Sequence, residues 1–176
     1  MVDPAPGIAL LTAAEVAARV DALAERLAPK LDNETVAVCL LTGGLWFTAD
    51  LTRALALRGR HLLFDCLWLS SYRDERASSG VCQVHAPLQR SVAGRRVLLL
   101  DDVFDTGVSL AFAAGLCREA GATEVLSAVF ARKPWPHPRP AEPDDVAWEA
   151  PARYLVGYGL DDAGRWRGWP GVAALD

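Results

Sequence analysis

Residues 96–110 constrain the fold of this chain more than any other segment. An apolar run, Val97 to Leu100, ends abruptly in two adjacent carboxylates, Asp101 and Asp102. A third acid, Asp105, follows, then Thr106-Gly107-Val108-Ser109, and then an apolar helical pattern from Ser109 to Ala120. A buried strand of this kind delivers acids and a short loop to one edge of a sheet, with a helix leaving the loop. Backbone amides at such a strand-to-helix junction point at a common anion, and the helix dipole favours negative charge there. Thr106 and Ser109 add hydroxyl donors, and Gly107 permits close backbone approach. Acids for sugar hydroxyls beside amides for a phosphate suit a phosphorylated sugar. The plain alternative is an ordinary strand-to-helix turn with Asp105 as N-cap.

The rest of the chain repeats the alternation of strand and helix. Thr12-Ala13-Ala14-Glu15 reads as a capping box, followed by Val16, Val20, Leu23 and Leu27 at helical spacing and closure near Pro29. Val36 to Leu41 reads as a buried strand, broken by Gly43-Gly44, with a helix over 46–57 whose apolar face is Phe47, Leu51, Ala54 and Leu55. Leu62 to Leu69 is a strand, 70–80 a polar, mobile loop, and Val81 to Ala86 a returning strand of a long hairpin. Gly121 stops the helix of the opening motif, Val125 to Phe130 is a further strand, and Tyr154 to Val156 is the last. Five prolines make 134–143 a loop. The pattern predicts one α/β domain over 1–176, with a mostly parallel sheet flanked by helices. Ligands of such sheets bind beyond the carboxyl ends of the strands.

Composition narrows the function class. A net charge of −4 argues against a general nucleic-acid binder. Cys39, Cys66, Cys82 and Cys117 have no metal-site spacing and read as reduced, mostly buried thiols. His61, His85 and His137 do not cluster and read as surface or structural residues. Trp135 and Trp148 flank the proline-rich loop as packing residues or part of a subunit contact. Met1-Val2-Asp3-Pro4 lacks a basic leader, and no apolar run approaches the roughly 18 residues of a membrane span. A cytoplasmic protein without membrane contact is expected.

The pattern apolar run, Asp-Asp-x-x-Asp-Thr-Gly-x-Ser resembles the phosphoribosyl pyrophosphate signature of type I phosphoribosyltransferases. Other segments, in consistent order over about residues 8 to 175, are similar to the hypoxanthine-guanine members of that family. Leu41-Thr42-Gly43 with Phe47, Asp50 and Leu51 resembles their pyrophosphate loop, with Thr42 where Lys is usual. Ser70-Ser71-Tyr72 and the polar loop resemble their catalytic hood, though Arg73 to Arg76 form a charged insert. Lys133, at a strand end before Pro134, stands where the family has a purine-binding Lys; a slip of one position would exchange it with Arg132. Tyr154-Leu155-Val156-Gly157-Tyr158-Gly159-Leu160-Asp161 and Arg167 resemble the C-terminal block, with Tyr154 for the usual Phe and Asp162 for the usual Tyr.

The resemblance implies the type I phosphoribosyltransferase fold, with a small hood of N- and C-terminal segments. It implies transfer of phosphoribose to hypoxanthine or guanine with Mg²⁺ as cofactor. Phosphoribosyl pyrophosphate and a 6-oxopurine are then the small-molecule partners, and a homodimer or homotetramer the assembly. Asp105 takes the catalytic role, Asp101 and Asp102 bind ribose, and Asp105, Thr106, Gly107, Val108 and Ser109 bind the 5′-phosphate. Thr42, Gly43, Ser71, Tyr72 and Arg167 bind pyrophosphate. Lys133, Tyr154, Leu155 and Asp161 bind the purine, and Asp101, Asp102 and Asp161 the metal, partly through substrate and water. Two alternatives stay open: a xanthine or broader 6-oxopurine specificity, and a non-catalytic nucleotide-sensing regulator on the same fold.

Overall fold

The computed structural model describes residues 5–71 and 82–175. Six strands form the main sheet in the order β4-β3-β2-β5-β6-β7. They are β2 (Val36–Leu41), β3 (Leu63–Ser71), β4 (Cys82–Ala86), β5 (Arg96–Phe104), β6 (Glu124–Arg132) and β7 (Asp145–Glu149). Every pairing is parallel except β3 with β4, the hairpin expected from the sequence. The tip of that hairpin, including Tyr72, lies outside the described residues.

Helices cover both faces because the central strands are apolar on both sides. Helix α1 (Ala13–Leu27) starts with the expected capping box, in which Glu15 N–H donates to Thr12 Oγ1 at 3.2 Å and Thr12 N–H to Glu15 Oε2 at 2.8 Å. With α2 (Leu45–Ala56) it buries Leu23, Leu27, Phe47 and Leu51 against Ala37, Leu98 and Phe130. Helix α3 (Val108–Glu119) buries Leu110, Ala113 and Cys117 against Val36, Val38 and Leu99 on the other face. It ends at Gly121, whose φ of 89° is the left-handed conformation expected of that position. Burial pushes the Cys39 thiol up to about 12 and the Cys117 thiol to about 11, so neither is a nucleophile at neutral pH. No helix among the described residues is long and apolar enough to cross a membrane.

A second, antiparallel sheet, β1-β9-β8, joins the two ends of the chain. It consists of β1 (Ile8–Leu11), β8 (Tyr154–Val156) and β9 (Val172–Leu175). This is the small hood implied by the resemblance, and it corrects the reading of Tyr154 to Val156 as the last strand. The sequence reading also passed over β1, β7 and β9. β1 and β9 are four-residue, alanine-containing runs whose pairing partners are far away in the chain. β7 follows a proline-rich loop and carries acids at both ends. A second difference concerns β5, which does not end at Leu100. It continues through both acids to Phe104, because Asp101, Val103 and Phe104 pair with Val129, Ala131 and Arg132 of β6.

The hood is fixed to the main sheet by close contacts. Tyr158 is buried, packs its ring edge-on to Phe130 at 4.7 Å, and donates its hydroxyl to Asp50 Oδ2 of α2 at 3.0 Å. Gly159 sits so near the β2–α2 loop that a Cβ there would lie 2.2 Å from the Gly43 carbonyl oxygen. Tyr158→Phe keeps the ring and removes the hydrogen bond. Chemical denaturation should show a loss of about 1 kcal/mol, with the secondary structure unchanged.

Candidate active site

The carboxyl ends of β2, β5 and β6 and the edge of the hood surround one cavity of about 980 Å³. Asp101, Asp102, the loop from Asp105 to Ser109, Gly43, Lys133 and Arg167 all line it, with Tyr154, Leu155 and Asp161 from the hood side. The fold therefore gathers five segments that are far apart in sequence.

At its floor lie the two acids of β5. Asp101 Oδ1 accepts the N–H of Asp102 at 3.0 Å, and Asp102 Oδ1 accepts the N–H of Val103 at 2.7 Å. The β2–α2 loop is pressed onto them, and a Cβ at Gly43 would lie 1.8 Å from Asp102 Oδ2. Gly44 is crowded by the carbonyls of Leu40 and Leu100. The Gly pair is thus required by close packing on the acids, beyond any role in a turn. Burial drives the Asp101 carboxyl well above the ordinary carboxylate range, and the neighbouring Asp102 charge adds to this. Burial raises Asp102 as well, opposed by its hydrogen bonds and by the Arg167 charge. Such a pair is poised to receive hydroxyl donors or a cation.

The loop from Asp105 to Ser109 is not capped by Asp105. The N-cap of α3 is Gly107, in the left-handed conformation (φ 80°, ψ 0°). The N-cap position thus falls to Gly107 and not to Asp105, and the first residues of α3 line the cavity. Thr106 Oγ1 accepts the Val108 N–H at 3.4 Å, which folds the loop on itself.

On the opposite side, Lys133 follows the end of β6, its N–H held by the Phe104 carbonyl at 3.0 Å. Arg132 is turned away, bound to Glu149 through Nε at 3.0 Å and close to Glu142. Lys133 is in the cavity lining and Arg132 is not. Tyr154 is 54% exposed and donates its hydroxyl to the Asp161 carbonyl at 3.1 Å; Leu155 beside it is buried. Arg167 pairs with Asp161 at 2.6 Å and donates to the Gly159 carbonyl at 2.5 Å. Asp161 Oδ2 also accepts the Gly164 N–H at 2.7 Å.

Three sequence candidates are not placed in the site. Thr42 is absent from the described lining, although its neighbours Leu41 and Gly43 are in it. Ser71 ends β3 opposite Cys82, and its side chain lies outside the described residues, as does all of Tyr72. Ser70 is in the lining instead, 2.7 Å from His85 Nε2. Among the described residues no three His, Cys, Asp or Glu side chains are grouped closely enough to hold a metal ion, so Asp101, Asp102 and Asp161 do not form a complete ligand set. One contributor escaped the sequence reading altogether. Arg139, from the proline-rich segment, donates to the Asp105 carbonyl at 2.7 Å and to the Lys133 carbonyl at 2.5 Å. A lone Arg among prolines carries no motif that would have singled it out.

Comparison with known proteins shows the family and the fold. The family model for the phosphoribosyl transferase domain matches residues 9–162. The hypoxanthine-guanine phosphoribosyltransferase of Bacillus subtilis is 31% identical over 167 residues, covering 94% of this chain and 91% of that protein. The enzyme of the same name from Dictyostelium discoideum is 28% identical, covering 94% and 93%. Among solved structures, a hypoxanthine phosphoribosyltransferase from Staphylococcus aureus superposes with a TM-score of 0.86 at 27% identity, covering 96% and 90%. One from Trypanosoma cruzi superposes with a TM-score of 0.90 at 25% identity, covering 99% and 94%.

Two measurements test the acid floor. Gly43→Ala places a methyl group on the Asp102 carboxylate, so ligand affinity at the site should fall while circular dichroism stays that of the parent. Asp101→Asn removes a group whose ionisation the folded state disfavours. A raised carboxyl pKa lowers stability as pH rises through the unfolded value toward the folded one. The variant should therefore melt above the parent at pH 7, and the gap should close as pH falls toward about 4. A variant that melts lower at pH 7 would contradict this electrostatic reading.

Proposed function

The chain belongs to the phosphoribosyl transferase family, and on that premise we propose that it moves the phosphoribosyl group of phosphoribosyl pyrophosphate to hypoxanthine or guanine. The products are IMP or GMP and pyrophosphate. The observation that carries this reading is the single cavity. It sets the Asp101–Asp102 pair, the N-terminus of α3 and a wall of Lys133, Tyr154 and Leu155 around one space.

Each group has a physical task. Asp101 and Asp102 accept hydrogen bonds from the ribose 2′ and 3′ hydroxyls and fix the ring. The amides from Asp105 to Ser109, with the Thr106 and Ser109 hydroxyls, hold the 5′-phosphate. The Gly43 backbone and Arg167 hold the pyrophosphate, with Thr42, Ser71 and Tyr72 assigned to it by resemblance alone. The Lys133 ammonium has donors and no acceptor, so it suits O6 of hypoxanthine or guanine and not the amino group of adenine. Tyr154 offers a flat ring for stacking, and Leu155 a backbone contact. Asp161 stands beside the base and, through its ion pair, orients Arg167.

In the reaction the bond from C1′ to the pyrophosphate oxygen breaks as N9 of the purine bonds to C1′. The electron pair of the broken bond leaves with pyrophosphate. Asp105 accepts or holds the N7 proton, which makes N9 the better nucleophile. Asp101, Asp102 and Asp161 are hard oxygen donors that fit Mg²⁺ as a partial set, completed by substrate oxygens and water. Magnesium, when bound, supplies positive charge against the charge that builds on the leaving group. Positioning and electrostatics supply most of the acceleration, since the protein forms no covalent bond. Self-association as a dimer or tetramer belongs to the same reading, supported by the half-exposed rings of Phe64 and Trp68 on β3.

The deciding experiment is turnover of a panel of hypoxanthine, guanine, xanthine and adenine with phosphoribosyl pyrophosphate and Mg²⁺. Hypoxanthine or guanine should be used and adenine should not; efficient use of adenine would remove Lys133 from base recognition, and no turnover of any base would favour a regulator. Asp105→Asn should lower kcat by roughly 10²-fold to 10³-fold without loss of fold. Parent-like turnover of this variant would take the proton-holding role away from Asp105.

A further inference from the structure

The proline-rich segment 134–143 is assigned no role above, yet it delivers a nearly buried cation to the back of the site. The Arg139 side chain is only about 10% exposed. Its guanidinium lies 4.6 Å from the centre of the Phe104 ring. Nε donates to the Asp105 carbonyl at 2.7 Å, Nη2 to the Lys133 carbonyl at 2.5 Å, and Nη1 to Glu142 Oε1 at 3.3 Å.

These partners belong to two different strands' ends. Asp105 follows β5 and Lys133 follows β6, and the Lys133 N–H donates to the Phe104 carbonyl between them at 3.0 Å. The two residues are also those that the proposed reaction sets at N7 and O6 of one purine. Their separation must therefore match the base. A planar guanidinium, with donors fixed in one fork, holds two carbonyls at a set distance, while an ammonium is a single point of donation. Pro138 and Pro140 on either side of Arg139 restrict the backbone and lower the entropy lost in holding the fork there. Ala141 closes the arrangement: a Cβ at Gly107 would lie 3.0 Å from its carbonyl and 3.1 Å from the Phe104 ring. The segment thus packs behind the phosphate loop as well.

We propose that Arg139 is a positioning residue that sets the spacing of Asp105 and Lys133, and that segment 134–143 is by this means part of the base-recognition apparatus. The proposal rests on the phosphoribosyl transfer reading above. Steady-state kinetics of the full chain should separate base from phosphoribosyl pyrophosphate. In Arg139→Lys, which keeps the charge and loses the fork, the KM for hypoxanthine should rise about tenfold and kcat should fall, as expected for hydrogen bonds that fix a reacting geometry. The KM for phosphoribosyl pyrophosphate should rise by a clearly smaller factor, because Val108 and Ser109 of the phosphate loop are carried by α3, which packs on its own face of the sheet. Arg139→Met, which keeps the stem against Phe104, should show the same split more strongly. Assays are run well below each variant's melting temperature, with the folded fraction taken from circular dichroism. Parent-like values for both substrates, or a loss of kcat in proportion to the folded fraction with both KM values unchanged, would overturn the positioning role. The parent in the same assay reports separately on the reaction itself, and a parent without turnover would overturn both.

Discussion

Two adjacent carboxylates near the end of a central strand, Asp102 buried and Asp101 half-buried, are the constraint around which this molecule is arranged. Asp101 and Asp102 are tolerated because backbone amides satisfy part of their hydrogen-bonding capacity and the Arg167 charge lies near Asp102. The remaining cost stays with the free protein, as raised carboxyl pKa values. That burden is what a polar or cationic ligand can relieve, so binding and the relief of an unfavourable native feature are the same event. The Gly43-Gly44 loop follows from it, since no side chain fits over the acids, and the hood in turn rests on the Gly43 carbonyl through Gly159.

The second organising device is cross-linking between segments distant in the chain. Tyr158 with Asp50 ties the hood to α2, Arg167 with Asp161 braces the rim, and Arg139 bridges the ends of β5 and β6. Each of these uses a side chain with defined geometry where a loop alone would leave the spacing loose. Catalysis by positioning demands such bracing, because the protein contributes placement and charge in place of a covalent intermediate. The proline-rich segment gains a meaning in this frame. It is rigid for the same reason that it cannot be helix or central strand.

Much of the fold was legible from local pattern. The capping box at Thr12, the apolar faces of α1 and α2, the buried strands and the stop at Gly121 all rest on interactions within a few residues. The misses share the opposite property. β1 and β9 exist because segments at opposite ends of the chain, with Ile8 opposite Ala174, pair with each other, and the extension of β5 through Asp101 to Phe104 exists because β6 lies alongside. Among site residues, Asp105 to Ser109, Lys133 and Tyr154 carried recognisable neighbours in sequence. Arg139 had none, and Ser70, which lines the cavity, stood one position from the residue assigned.

What the sequence determined by itself is therefore the set of elements and the chemical content of the site: which strand ends in acids, which turn offers amides, which residues resemble a purine wall. Those properties are written in neighbouring side chains and in backbone preferences that act over a turn or a few residues. Only the tertiary structure decided that Gly107 and not Asp105 takes the N-cap position, that Lys133 and not Arg132 lines the cavity, and that an Arg between prolines bridges the ends of β5 and β6. Each of these outcomes depends on competition among partners brought together by strand pairing, Glu149 for Arg132 and two carbonyls for Arg139. Such competition has no local signature, because its energy belongs to contacts that do not exist until the sheet has formed.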